Sequence, residues 1–434
     1  LQVDGAITGS STINGVGIIS NITNFANGIL ISQDGSTGTL NAASNNTGLG
    51  NGVFDDLTTG DGNVGMGYSA LSALTTGSDN VGIGVGALAL NTTAVENTLV
   101  GSSAGDAIST GSYNTGFGSA TLGATTTGTF NTAVGRHALT TNSTGSSNVA
   151  VGGQALDANT TADNNTAVGT SSLGANTTGA SNTAVGQGSL AANTTADGNT
   201  GVGYQALTAN TIGDRNTALG WSAMATNVDG DRNVAIGYGA MQTFEPSNTA
   251  TYNTAVGYVA GNAMTTAINN TFIGGLANAI GVPGNQNTAV GSQAMYNNAD
   301  VENTGIGYAA LNANTSGGYN TAVGSNVMSA NTTGDSNVAV GQNALDANTT
   351  ASNNVAIGAA ALGANTTGTN NVMVGNSAGD AITTSNNNTG VGHDVLGANT
   401  SGDTNTAMGS TTLNTNTTGS GNTGVGYAAL TANT

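Results

Sequence analysis

Residues able to do acid–base or metal chemistry are few in this sequence and badly spaced for it. The only two histidines, His137 and His393, stand 256 residues apart. A nucleophile–base pair needs its members within hydrogen-bond reach, so each histidine reads as a surface variant. Carboxylates gather near turn-like stretches (Asp163, Asp197, Asp214, Asp229, Asp231, Asp335, Asp403). Stacked turn carboxylates could hold Ca²⁺, but the Gly-Gly-x-Gly-x-Asp signature of calcium-binding rolls is missing. The Gly201-Val202-Gly203 type of sequence opens no helix and so makes no dinucleotide loop. Asn-Thr-Thr triplets at Asn159, Asn176, Asn193 and Asn331 match the N-glycosylation pattern, although at fixed intervals they read as turn chemistry. Cysteine is absent. No paired-carboxylate cleft is evident, so no enzyme, no cofactor and no metal are expected.

What would position such residues is a repeat. The pentad Asn-(Thr/Val)-(Ala/Gly)-apolar-Gly occurs 23 times from Asn46 to Asn422, and 20 of its 22 intervals are 17 residues long. Self-similarity at a short fixed period marks one supersecondary unit stacked many times. Counting positions from the asparagine, position 4 is apolar in every copy, position 5 is Gly, and position 9 is Leu, Met or Phe in 19 of 23. Period-two alternation over four or five residues predicts a short strand. A second short segment, Ala-Leu-x-Ala-Asn, follows it. The expected coil therefore has two strands and two turns, and the expected fold is an all-β parallel β-roll or β-solenoid rod of about 23 coils. At ~4.8 Å per coil such a rod would run on the order of 110 Å. Residues 1–45 are read as a β-rich fibre segment and 46–434 as one continuous array.

Within the array, Asn131, Asn148, Asn165 and Asn182 are expected to point inward as an amide ladder. Val134, Val151 and Val168 are expected to stack beside them in the core. Gly135, Gly152 and Gly169 should supply positive φ or close backbone approach at the corner after each strand. One Val and one Leu per coil make a thin core. The small third-position residues (Ala133, Ala150, Ala167) then suggest a common axis on which three copies meet, giving a homotrimer; Leu99, Phe272 and Met373 are the large exceptions there.

These motifs carry a resemblance. The stretch from Asn199 to Gly213 resembles the repeats of phage-tail-fibre-like proteins that carry a self-cleaving C-terminal chaperone. The Ala-Val-Gly-x-x-Ala core is similar to head repeats of trimeric autotransporter adhesins. The resemblance covers residues 46–434. It implies an extracellular fibre shaft, on a virion tail fibre or a cell surface, mediating attachment. A bacterial adhesin or self-assembling filament is the alternative, and an ice-binding solenoid with a threonine array is a remote one. The partners implied are the chain itself and a surface glycan or receptor. The chain begins Leu1-Gln2-Val3-Asp4 and stops within a repeat, as a processed or excised portion would.

Charge agrees with such a surface. Only 6% of residues are charged, the net charge is −19 and there are three arginines and no lysine. Neutralising phosphates needs many cations, so nucleic acid is excluded as a partner, and no stretch approaches the ~20 apolar residues of a membrane span. Residues 241–302 hold both period defects and both prolines. A step of 20 (Asn233 to Asn253) and a step of 16 (Asn287 to Asn303) mark them. Insertions in solenoids map to loops, so Phe244, Glu245, Pro246 and Tyr252 are expected to project as a contact loop.

Overall fold

The computed structural model describes residues 9–13, 16–22, 25–32, 41–246 and 251–432. The chain forms two compact units, Leu1–Arg215 and Asn216–Thr434, and the division falls between two repeats. In the first unit, β1 (Gly9–Ile13) pairs antiparallel with β2 (Val16–Ile22), which pairs antiparallel with β3 (Phe25–Ser32). From there the pairing turns parallel: β3 pairs with β4 (Ala43–Ser44) and with β5 (Thr47–Leu49). The meander thus starts the solenoid by offering its last strand as a template.

Each repeat then contributes one three-residue strand from positions 2–4, for example Thr132–Val134. Within each unit every such strand lies in register on the next: Thr132 opposite Val149, Ala133 opposite Ala150, Val134 opposite Val151. The first unit holds ten of these coils and the second, from Thr217–Leu219 to Thr423–Val425, holds thirteen. The fold is an all-β parallel β-solenoid of about 23 turns, with no helix among the described residues.

The second strand expected in each coil is not formed. The Ala-Leu-x-Ala-Asn segment is a series of turns, because positions 7 and 9 take left-handed backbone: His137 at φ 60° and Leu139 at 52°, Gln154 at 58° and Leu156 at 52°. Left-handed φ is costly for a branched, bulky residue such as Leu. The compensation is visible in the bonding. His137 N–H reaches back to Ser119 O (3.1 Å), while Leu139 N–H reaches forward to Ala155 O (3.0 Å) and Thr141 N–H to Asp157 O (3.1 Å). The reversals let the corner and the second side bond to both neighbouring coils, leaving few backbone groups in need of water.

The core of a coil is narrow. Positions 1, 3, 8, 9, 12 and 15 are buried, as Asn131, Ala133, Ala138, Leu139, Asn142 and Gly145 show. Where position 3 is large, the coil makes room elsewhere. Leu99 sits in the same coil as Gly105 and Ile108, and a Cβ on Gly105 would lie 3.0 Å from Leu99 Cγ and 2.8 Å from Ile108 Cδ1. The next coil has Gly116 at position 3, where a Cβ would stand 2.4 Å from Leu99 Cδ1. Met373, Gly379, Ile382 and Gly390 repeat the arrangement in the second unit. The third-position residues thus pack inside their own chain, which removes them as the face of a shared three-fold axis.

Candidate functional site

The most highly organised chemistry in the molecule is a column of buried amides. Asn131, Asn148, Asn165 and Asn182 are fully buried. Asn148 donates its backbone N–H (3.0 Å) and its side-chain amide (3.2 Å) to Asn131 Oδ1, and the same amide reaches Ala162 O at 2.8 Å. In turn Asn148 Oδ1 accepts the N–H of Asn165 (2.9 Å), and Asn165 Oδ1 accepts that of Asn182 (2.9 Å). Each asparagine therefore satisfies the N–H at the start of the next strand and a carbonyl across its own coil. Asn suits the post because one short side chain carries both an acceptor and two donors.

The column survives both period defects. Asn253 N–H reaches Asn233 Oδ1 at 2.9 Å across the 20-residue step, and Asn303 N–H reaches Asn287 Oδ1 at 2.9 Å across the 16-residue step.

The valines expected beside the ladder point the other way. Val134 is 36% exposed, and Val151 and Val168 are half-buried, whereas Ala133, Ala150 and Ala167 are fully buried. The reason is parity: side chains alternate along a strand, so an inward position 1 takes position 3 with it and sends position 4 outward.

The glycines after the strands adopt backbone that only glycine accepts readily. Gly135, Gly152 and Gly169 have φ of 130°, 141° and 133°. A Cβ on Gly152 would come 2.5 Å from Gly169 O, so positive φ and close approach both apply.

A second amide ladder escaped the reading of the sequence. Position 12 is buried, and there Asn159 donates to Asn142 Oδ1 (2.8 Å), Asn176 to Asn159 (3.0 Å) and Asn193 to Asn176 (2.8 Å). Asn331 donates likewise to Asn314 at 2.9 Å in the second unit. These are the glycosylation-type triplets, and in the folded chain their amides face the interior. The available signal was their shared phase with Ile108, Met264 and Ile382, apolar residues that plug the same position in other coils. Asn91 shows what the column requires: its neighbours at position 12 are Leu74 and Ile108, and its Nδ2 has no partner.

The expected contact loop is corrected by the same phase. Phe244 occupies position 12 and is fully buried, and Pro246 is buried with it. Phe244 takes the inward slot because Glu245 N–H still bonds to Thr265 O (2.9 Å), holding this stretch in the coil. Glu245 and Tyr252 are exposed, and the Tyr252 ring lies 5.6 Å from the Arg232 guanidinium carbon. Residues 247–250 of the expected loop lie outside the described residues.

Turn carboxylates at position 16 have structural partners. Asp163 Oδ1 accepts Ser146 N–H (2.7 Å), Asp197 accepts that of Ala180 (2.7 Å), and Asp335 that of Gly318 (2.8 Å). Among the described residues no three His, Cys, Asp or Glu side chains gather as a metal site would require. One shallow groove of about 400 Å³ is lined by Arg136, His137, Thr140, Thr141, Gln154, Asp157 and Ala158. Burial raises the Asp157 carboxyl above its ordinary range, and the nearby His137 draws it partly back. His393 belongs to the other unit, so the two histidines are not brought together within either one.

Aromatic columns run along the surface. Trp221, Tyr238 and Tyr258, all at position 6 of successive coils, stack with ring centroids 4.6 and 5.5 Å apart. Tyr113 and Phe130, at position 17, stack at 4.7 Å and 4°. Their common phase was legible and went unread.

No family model and no curated protein matches this chain. Its functional reading therefore rests on the geometry. No helix among the described residues is long and apolar enough to cross a membrane.

Proposed function

We propose that this chain serves as a structural shaft in an extracellular attachment fibre of the tail-fibre type, with a bacterial surface adhesin or filament as the alternative setting. The observation that supports this reading is the position-1 amide ladder, which continues through both a 20-residue and a 16-residue coil. The side chain at position 1 of each coil is committed to bonding the next coil, while the largely exposed position 6 varies from repeat to repeat. A protein built this way transmits position along a coil stack and carries its specificity at local variations. The same arrangement is compatible with a structural role.

Contact with a surface glycan or receptor is assigned to the exposed members of the irregular region, Glu245 and Tyr252, with the stacked Trp221, Tyr238 and Tyr258 as a second exposed group. Aromatic faces and edges on a charge-poor surface suit sugar rings. Electron micrographs of the purified chain should show slender particles of uniform width, and antibody against it should label intact virions or cells from outside. Compact particles, or labelling only after lysis, would sink the proposal.

One observation favours a second reading. Position 14 is an exposed Thr in nine consecutive coils, from Thr59 to Thr195, although the Thr-Thr pair of positions 13 and 14 is interrupted within that span by Ser109 and Ser143. Thermal hysteresis of the chain decides it; the absence of any would remove this reading.

A further inference from the structure

The outward side of the repeat strands presents an apolar side chain at position 4, which is Val, Ile, Leu, Met or Phe in every coil, and Thr or Val at position 2. In the first unit Leu49 is 47% exposed, Met66 39%, Phe117 45% and Val185 36%. The second unit repeats this with Leu219, Ile306 and Met408 exposed. No charged residue occupies either position in any repeat, although the chain carries a net charge of −19. Within the repeats, acidic side chains stand at positions 7, 10, 11, 13, 14, 16 and 17.

Scattered exposed apolar residues are normal, but contiguous patches beyond a few hundred Å² mark interaction surfaces. Positions 2 and 4 of the ten coils of the first unit supply 20 residues, and a standard stable interface takes about 20–30 residues a side.

The column also has a period. In-register pairing places Val134 over Val151 and Val151 over Val168, so the methyl groups recur at the ~4.8 Å strand spacing. The surface that fills the gaps of such a column, coil after coil, is another column of the same spacing. A globular partner does not supply that period, whereas a second copy of this chain does, and it brings no carboxylate to the contact.

We infer that positions 2 and 4 form a self-association face, on which a second copy of this chain packs sheet against sheet. Two flat sheets meet at about 10 Å with their inner side chains interdigitated. The face is the reverse of the small third-position side, which is sealed inside each chain. This inference stands independently of the attachment role, since a shaft with any other task would present the same face.

Sedimentation equilibrium of the full chain tests it. The wild type should sediment at an integral multiple, two or more, of 41.7 kDa. A V134K/V151K/V168K/V185K variant should fall to single-chain mass with an unchanged far-UV circular dichroism spectrum. A T127K/T144K/T161K/T178K control, bearing the same charges at exposed position 14, should keep the wild-type mass. If the lysine variant fails to fold, Val→Thr at the same four positions keeps the shape and should raise the dissociation constant at least tenfold. A single-chain wild type overturns the inference, and flotation of that single chain with phosphatidylcholine vesicles would reassign the face to a lipid surface. Retention of wild-type mass by the folded position-4 variants, or equal dissociation of the control, overturns it too.

Discussion

Replacing Asn148 by Leu removes one rung of the amide ladder while keeping the branching and heavy-atom count of the side chain. The native side chain supplies three contacts: its Oδ1 accepts Asn165 N–H at 2.9 Å, and its amide donates to Ala162 O at 2.8 Å and to Asn131 Oδ1 at 3.2 Å. Leu leaves the losses unequal. Ala162 O keeps a donor in Asn159 Nδ2 (3.1 Å), and Asn131 Oδ1 keeps the backbone N–H of residue 148 (3.0 Å). Asn165 N–H is left buried with nothing to bond. An orphaned buried donor costs about 1–3 kcal/mol and each lost but partly replaced bond about 0.5–1.5 kcal/mol, so the expected destabilisation is about 2–6 kcal/mol. Denaturant unfolding should show this as a lower midpoint, and hydrogen exchange should localise it, with the Asn165 and Thr166 amides losing protection first. An unfolding free energy within about 0.5 kcal/mol of wild type, the scatter of ordinary surface substitutions, would refute the claim that the ladder holds the coils.

Gly152→Ala should cost about 3 kcal/mol or more by thermal denaturation, because φ is 141° and the new Cβ would meet Gly169 O at 2.5 Å. Gly153→Ala, one residue on, has nothing nearer than 4.0 Å and should be close to neutral; equal effects would contradict the corner geometry. Phe244→Ala should lower stability by about 3–5 kcal/mol, as for other buried aromatics, while Glu245→Ala should leave the melting temperature nearly unchanged. The carboxyls at position 10 give a pH signature. Burial raises Asp106, Asp157, Asp346 and Asp380, and the neighbouring Asp394 raises Asp380 further. Folded pKa values above the unfolded ones mean that their contribution is present below the unfolded pKa and lost as pH rises through the folded one. A D157N/D346N variant should therefore gain on the wild type in melting temperature at about pH 7 and lose that advantage near pH 4; a pH-independent difference would show that burial is not the cause.

The period, the coil, the position-1 ladder and the corner glycines were all legible, because each rests on a residue type with few alternatives. Asn at a fixed phase asks for paired donors and acceptors, and Gly after a strand asks for backbone that other residues resist. The direction of Val134 was misread because hydrophobicity was allowed to outrank parity, although an inward Asn131 already committed the strand to the opposite assignment. The turn conformation of the second side was not readable at all. Leu139 and Leu156 in left-handed backbone contradict their own propensity, and only bonds to the coils on either side explain it. Phe244 was read as protruding since it adjoins the insertion, yet its phase, shared with Ile108 and Asn227, had already placed it inside. The exposed aromatic column at position 6 has its signal in the 17- and 20-residue spacing of Trp221, Tyr238 and Tyr258.

The in-register pairing of position with like position, Val149 on Thr166 and Ala150 on Ala167, bears on how such a gene changes over generations. Excising one whole repeat would bring Asn131 against Asn165, with the same atoms meeting at the same phase, and duplicating one would do no more harm. Recombination between near-identical stretches of DNA makes both events frequent, and each alters reach by one step without inventing a new contact. Length in this protein is therefore a counted, heritable quantity, open to selection separately from the chemistry of the surface. The two steps of other size, of 20 and 16 residues, keep the position-1 bond from coil to coil.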